Sequence, residues 1–212
     1  MNGKIRLESV TKSYKGVCVL NKVTESFSGG NIYGIIGRNG SGKTMLFKAI
    51  CGFIKLDSGF VEIDGKVIGK DIDFPSNTGI MIEAPCFTGY LSGTQNLKNL
   101  AAIRRKIGEN EIKEAMNMVG LDYGSKKKVR QYSMGMKQRL GIAQAIMENP
   151  DILVLDEPTN ALDEEAVEIF RKVLMSEKEK GKIILLASHN REDIEILCDK
   201  VLKMEKGILA QA

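Results

Sequence analysis

Apolar and polar residues alternate along Ile5-Arg6-Leu7-Glu8-Ser9-Val10 and again through residues 17 to 27, the period of a strand with one covered face. Strands are therefore expected over 4–10 and 17–27, with Ser13-Tyr14-Lys15-Gly16 as the turn between them. Ile32-Tyr33-Gly34-Ile35-Ile36 belongs to a third strand over 31–36, and a helix from about Gly42 to Ile50 follows. Phe60 to Ile63 and Val67-Ile68 flank Asp64-Gly65, a pair suited to a two-residue hairpin turn, and Thr78 to Ile82 reads as a short strand. Between residues 90 and 148 the period changes. Leu97, Leu100, Ala101 and Arg104 fall on helical spacing, as do Ile112, Ala115, Met116 and Val119 before the stop at Gly120, and Met134 to Met147 predicts a further helix.

After Pro150 the chain returns to strand and helix in turn. Ile152 to Leu155 is a fully apolar strand, and a helix from about Glu164 to Glu179 takes Asp163 as its N-cap. Lys182 to Ala187 is the next strand, followed by a short helix near 191–196 and a terminal hairpin around Gly207. The expected fold is α/β, a mostly parallel sheet with an antiparallel N-terminal β part and an inserted helical segment. One domain over 1–212 is expected, its core at 1–89 and 149–212 and its helical subdomain at 90–148. In such a sheet a ligand sits at the carboxyl ends of the strands.

Composition narrows the function classes. A net charge of +4 on 212 residues is too small to argue for a nucleic-acid partner, and the runs Arg104-Arg105-Lys106 and Lys126-Lys127-Lys128 read as solvated faces. Cys18, Cys51, Cys86 and Cys198 are scattered, with no C-x-x-C pair, which points to a reducing compartment and no structural zinc. No apolar run reaches the roughly 18 residues that span a bilayer. Met1-Asn2-Gly3-Lys4 leads straight into the first alternating segment, so no signal peptide is expected.

The chemistry begins at Gly37-Arg38-Asn39-Gly40-Ser41-Gly42-Lys43-Thr44, set between a strand and a helix. Glycines at 37, 40 and 42 let the backbone curl until several N–H groups converge on one anion at the positive end of the helix dipole. Lys43 reaches the terminal phosphates of a nucleotide, and the Thr44 hydroxyl can hold Mg²⁺. The strand Ile152-Leu153-Val154-Leu155 ends in Asp156-Glu157-Pro158. Its continuous apolar character suits a central parallel strand. Asp156 at the tip can hold Mg²⁺, directly or through water, while Glu157 can polarise an attacking water.

With these two motifs in place the chain resembles the ATP-binding subunits of ABC transporters, and the resemblance runs through nearly all of its length. Tyr132-Ser133-Met134-Gly135-Met136-Lys137-Gln138-Arg139-Leu140 is similar to the family's signature sequence, with Met134 and Met136 replacing the commoner Gly and Gln. The resemblance implies that Ser133 and Gly135 bind the γ-phosphate held by another subunit. Asn160-Ala161-Leu162-Asp163 is similar to the D-loop, in which Asp163 couples two sites across a dimer and can also cap its helix. His189, the only histidine, matches the switch histidine that contacts the γ-phosphate, and Tyr14 resembles the aromatic that stacks on adenine. Glu83, in Gly79-Ile80-Met81-Ile82-Glu83-Ala84-Pro85, departs from the family by standing where most members carry the Q-loop glutamine. A carboxylate there accepts hydrogen bonds only and adds charge beside Asp156 and Glu157.

The resemblance implies a Mg²⁺-dependent ATPase with Glu157, His189, Lys43 and Glu83 in catalytic roles and Thr44, Asp156 and Glu83 near the metal. Its expected partners are a second copy or a paralogous ATPase subunit and a separately encoded permease, on the cytoplasmic face of the membrane. A glutamate at 83 beside this form of signature is similar to the bacitracin-resistance and lantibiotic-immunity exporters, which move antimicrobial peptides or other amphiphiles. A soluble ABC-type ATPase acting on nucleic acid or ribosomes is the alternative class. It usually carries a second ATPase domain, coiled coils or zinc modules, and this chain has one phosphate cradle and a short insertion without heptads.

Overall fold

Strands built of apolar residues are stable only where both faces are covered, and in this protein such runs lie at the centre of one sheet. The structure is a computed structural model and describes residues 4–212; the expectation that no signal peptide precedes the first strand rests partly on residues 1–3 and lies outside them. In chain order the elements are β1 (Lys4–Tyr14), β2 (Val17–Ser28), β3 (Asn31–Ile36), α1 (Lys43–Ile50), β4 (Ser58–Ile63), β5 (Lys66–Val67) and β6 (Thr78–Met81). They continue with α2 (Gly93–Arg104), α3 (Glu109–Met118), α4 (Met134–Ile146), β7 (Ile152–Asp156), α5 (Glu164–Glu179), β8 (Ile183–Ala187), α6 (Arg191–Leu197), β9 (Lys200–Glu205) and β10 (Ile208–Gln211).

The larger sheet has six strands in the order β10-β9-β3-β8-β7-β6, parallel except for β10. The smaller sheet, β2-β1-β4-β5, is antiparallel. This is the expected α/β architecture, with one addition. The terminal hairpin is more than a ribbon, because β9 pairs in parallel with β3 through Tyr33↔Lys200 to Ile36↔Lys203.

Side chains alternate across a strand, and the central strands divide accordingly between two cores. Val154, Leu185 and Ala187 pack with Phe47 of α1 and with Ile5, Leu7 and Phe27 of the antiparallel sheet. Leu153, Leu155, Ile184 and Leu186 pack on the other face with Leu140, Ala143, Phe170 and Leu174 of α4 and α5. Burying one such side chain is worth roughly 1.5–3 kcal/mol, so both faces contribute to holding the strand tips level. The helices from α2 onward share this second core, which also takes in Leu97, Ile112 and Met116.

Turn boundaries differ from the sequence expectation at the first hairpin. Ser13 and Tyr14 remain paired with Cys18 and Val17, and only Lys15-Gly16 make the turn, with φ of 47° and 81°. Positive φ at both central residues is the tight hairpin geometry whose twist matches the flanking strands. Lys206-Gly207 adopts the same geometry between β9 and β10. Among the described residues no helix is long and apolar enough to cross a membrane.

β6 and α4 approach closely at Gly79, where an added Cβ would lie 1.9 Å from the Ala145 carbonyl oxygen. Gly79→Ala should therefore destabilise the protein by about 1–3 kcal/mol, the usual range for overpacking a filled interior. Urea unfolding reads this directly, and an unchanged midpoint would show that the two elements have room to separate.

Candidate nucleotide site

The loop after β3 enters α1 with Gly42 as the N-cap, at φ of 114°. An added Cβ at Gly37 would meet the Met204 carbonyl oxygen at 2.3 Å, and one at Gly42 would meet that of Val19 at 2.6 Å. The loop is thus pressed against β2 and β9 from behind. The Gly207 N–H completes the backing by donating to the Ser41 carbonyl at 3.0 Å. With no acidic residue in its first turn, α1 presents an uncompensated positive end. Lys43 is buried, 7% exposed, and its Nζ donates to the Gly37 carbonyl at 2.8 Å.

Carboxylates face this loop from the next strand but one. Thr44 Oγ1 donates to Asp156 Oδ2 at 2.6 Å, and Glu157 Oε1 lies 4.0 Å from Lys43 Nζ. Burial raises the Asp156 pKa above the ordinary carboxylate value; the Thr44 hydrogen bond and Lys43 oppose that shift, while Glu157 and Glu83 add to it. Glu157 takes φ of 51°, an uncommon conformation for a residue with a side chain, and its N–H donates to the Ala187 carbonyl at 2.8 Å. That turn aims the carboxylate at His189: Glu157 Oε2 lies 2.7 Å from His189 Nδ1 and accepts the His189 backbone N–H at 3.2 Å.

Arg38 to Thr44, Glu83, Asp156 and Glu157 line one cleft of about 620 Å³. The residues present fit a nucleotide phosphate with a hard cation. Ser41 Oγ is buried without a hydrogen-bond partner among the described residues. A Thr hydroxyl and an aspartate carboxylate at 2.6 Å form the small oxygen donor set that suits Mg²⁺, which keeps most of its shell for phosphate and water. Among the described residues no group of three or more His, Cys, Asp or Glu forms a self-sufficient metal cage.

Glu83 lines the cleft, yet its carboxylate turns to α1, where Lys48 Nζ donates to Oε1 at 2.6 Å. The pair is largely exposed on the Glu83 side. Ser133, Gly135 and Asp163 do not line this cleft, although their neighbours Met134, Asn160 and Ala161 do. Ser133 caps α4 by accepting the Met136 N–H at 3.1 Å, which leaves its hydroxyl proton free to donate. An added Cβ at Gly135 would lie 2.8 Å from the Ala161 carbonyl oxygen. Asp163 caps α5 through the Ala166 N–H at 2.9 Å. Tyr14 stands at the β1 tip, 45% exposed, with Lys12 Nζ 5.0 Å from its ring centroid and outside the cleft wall.

What four residues contribute to the site, Gln138, Lys48, Val19 and Gly207, had no signal in the sequence. Gln138 lines the cleft and donates to the carbonyls of Glu157 at 3.0 Å and Pro158 at 2.9 Å, tying α4 to the carboxylate loop. Lys48 lies one helical turn after Thr44, a spacing that places both on one side of α1 without indicating what Lys48 meets. Val19 and the Gly207 hairpin back the phosphate loop from segments far apart in the chain.

The profile of the ABC transporter family matches residues 20–160. The ABC transporter ATP-binding protein YybJ of Bacillus subtilis is 44% identical, over 97% of this chain and 94% of its own length. The bacitracin transport ATP-binding protein BcrA of Enterococcus faecalis is 37% identical over 98% of this chain and 68% of its own, and the lantibiotic transport ATP-binding protein SrtF of Streptococcus pyogenes is 34% identical over 92% and 84%. Among solved structures, the dimeric structure of MJ0796, a bacterial ABC transporter cassette, superposes with a TM-score of 0.87 at 25% identity over 98% and 97% of the two chains. A post-hydrolysis dimer of that cassette bound to ADP and Pi gives the same TM-score at 22% identity, a likeness of fold.

The raised pKa of Asp156 has a testable consequence for stability. The folded chain holds this proton more tightly than the unfolded chain does, so the group's contribution is present at acid pH and is lost as pH rises through the raised value. At neutral pH the ionised carboxylate is therefore destabilising. Asp156→Asn keeps an acceptor for the Thr44 hydroxyl and removes the charge. Without nucleotide it should unfold at higher urea than wild type at pH 7, the gap closing as pH falls, and equal midpoints at pH 7 would contradict the burial argument.

Proposed function

The chain belongs to the ABC transporter family of ATP-binding proteins, and from that premise we propose that it hydrolyses ATP in a Mg²⁺-dependent reaction to drive export through a separate permease. The observation that carries the reading is the alignment at one sheet edge of the Thr44–Asp156 pair and the Glu157–His189 pair. Mg²⁺ supplies charge neutralisation across the phosphates when bound. Thr44 and Asp156 would hold it, Lys43 would exchange the Gly37 carbonyl for phosphate oxygens, and backbone N–H groups of residues 37–44 would orient the chain of phosphates. Glu157 orients and polarises the attacking water, and His189 holds that carboxylate while reaching the γ-phosphate.

In this reading Ser133 and Gly135 serve a nucleotide on another subunit. Their absence from the wall of their own cleft supports it, as does a Ser133 hydroxyl proton left without an acceptor by the capping bond. Asp163, at the start of α5, would couple the two sites. Tyr14 offers the ring face not covered by Lys12 to the adenine. The whole of 1–212 acts as one ATPase domain with 90–148 as its helical subdomain, on the cytoplasmic face of the membrane. The cargo class is an antimicrobial peptide or a related amphiphile, from the bacitracin and lantibiotic named for the relatives BcrA and SrtF. The soluble class has no such support, since the relatives named above are transporter ATP-binding proteins by name.

Glu157→Gln should lower kcat by roughly 10²–10⁴-fold and, with ATP and Mg²⁺, convert the protein to a dimer by light scattering. A monomer under those conditions would refute the composite site. Glu83 is proposed to replace the family's glutamine, alternating between Lys48 and the cleft. Glu83→Gln should then keep hydrolysis within a few fold, whereas Glu83→Ala loses about tenfold or more, less than the roughly 10²–10⁴-fold of a general acid or base. Equal activity of the Ala variant and wild type, in ATP turnover and in transport, would remove Glu83 from the mechanism.

A further inference from the structure

Asp193 is the most deeply buried charged residue described, at 0% exposure, and the reaction just proposed makes no use of it. Its Oδ1 accepts from Arg171 Nε at 2.9 Å and Nη2 at 2.7 Å, and its Oδ2 accepts the Thr159 hydroxyl at 2.9 Å. Arg171, itself buried on α5, also meets Glu168 at 2.7 Å and Glu192 at 3.0 Å. Thr159 lies two residues beyond Glu157, and Asp193 four beyond His189. The two loops that leave the tips of β7 and β8 are therefore joined twice. The front contact, Glu157 to His189, sits on a histidine side chain that is 67% exposed. The rear contact, Thr159 to Asp193, ends on a fully buried carboxylate that Arg171 also holds.

A contact made by a solvent-exposed side chain contributes little to holding that side chain in one geometry. A buried carboxylate, neutralised by a guanidinium and bound by a hydroxyl, is costly to break because each partner would be left unsatisfied. The ring Glu157-Pro158-Thr159-Asp193-α6-His189-Glu157 thus has one soft closure and one firm closure. We infer that Thr159 and Asp193, braced by Arg171, are positioning residues that set the register of the Glu157–His189 pair. This rests on the reading that Glu157 and His189 act together on water. Helix α6 is short, and its other anchor at the N-terminal end is local: Asn190 accepts the Glu192 N–H at 3.0 Å, and the Asn190 N–H donates to Ser188 Oγ at 3.0 Å. Neither bond reaches the carboxylate loop.

His189 is the only histidine, so its imidazole proton resonances identify themselves in the full chain. Glu157→Gln should shift them by altering the carboxylate that faces Nδ1. Thr159→Val should shift them as well and lower kcat about tenfold with KM for ATP within twofold, a smaller loss than the roughly 10²-fold that an ångström-scale misplacement can cause. Thr159→Ser, which restores the hydroxyl, should return both readouts to wild type. Thr159→Val combined with Asp193→Asn should be no slower than Asp193→Asn alone, as for two members of one unit. Wild-type resonances and kcat in Thr159→Val, while Glu157→Gln does shift the signals, would overturn the clasp and leave the Glu157–His189 pair standing. If Glu157→Gln leaves the resonances unmoved, the pair itself is wrong and the clasp falls with it.

Discussion

The parallel register of β3, β8 and β7 is the constraint on which the rest of the site depends. Ile35 of β3 and Asp156 of β7 both stand opposite Ala187 of β8. The three strands therefore end level, and the phosphate loop, the carboxylates and the Ser188-His189 turn all leave the sheet on one edge. Slipping one strand by one residue would exchange its two faces and bring polar tips into the interior. The two apolar cores, one on each face, make that slip expensive. Placement of the chemistry is thus a consequence of packing far from it.

Once the tips are level, the site gathers charged and polar groups in buried or strained settings. Lys43 points its ammonium at a carbonyl of its own loop, Ser41 Oγ has no partner among the described residues, and Asp156 is buried enough to resist ionisation. Glu157, Ala161 and Glu83 hold positive φ without being glycine. Each feature costs a little stability. Backing from Val19, Met204 and Gly207 keeps the loop from relaxing into a less strained form.

The elements that could be read from the sequence were those whose cause is local. Alternation located β1 and β2, the apolar runs located β7 and β8, and the spacing of glycines with Lys43 and Thr44 located the cradle, because in each case the residues that interact are neighbours in the chain. What escaped depends on long-range pairing. β9 joins the parallel sheet beside β3, 167 residues earlier, as the bond between the Ile32 N–H and Asp199 shows. Gln138 meets the carboxylate loop across 19 residues, and Asp193 meets Arg171 across 22. A polar residue in an amphipathic helix carries no mark of whether it faces solvent or a buried partner. At Tyr14 the cause is local: Lys15-Gly16 alone satisfies the hairpin and lets the strand run on through Tyr14, whereas the sequence marks only that a turn lies within residues 13–16.

The pairing of Glu83 with Lys48 shows why a carboxylate is tolerable where most of the family carries an amide. Asp156 and Glu157 already bring negative charge to this edge, and a third carboxylate raises the protonation of Asp156 further. Two like charges a few ångströms apart near a protein surface repel by several kcal/mol, at about 4 kcal/mol for 4 Å and an effective dielectric constant near 20. Lys48 offsets part of that charge by drawing the Glu83 carboxylate to the exposed flank of α1 at 2.6 Å. An amide would need no such counter-charge. The compensation comes from α1, one turn after Thr44, so the residue that pairs with Glu83 lies on the same rigid helix as Lys43 and Thr44. Lys48 thus gives the Glu83 carboxylate a partner of opposite charge on α1.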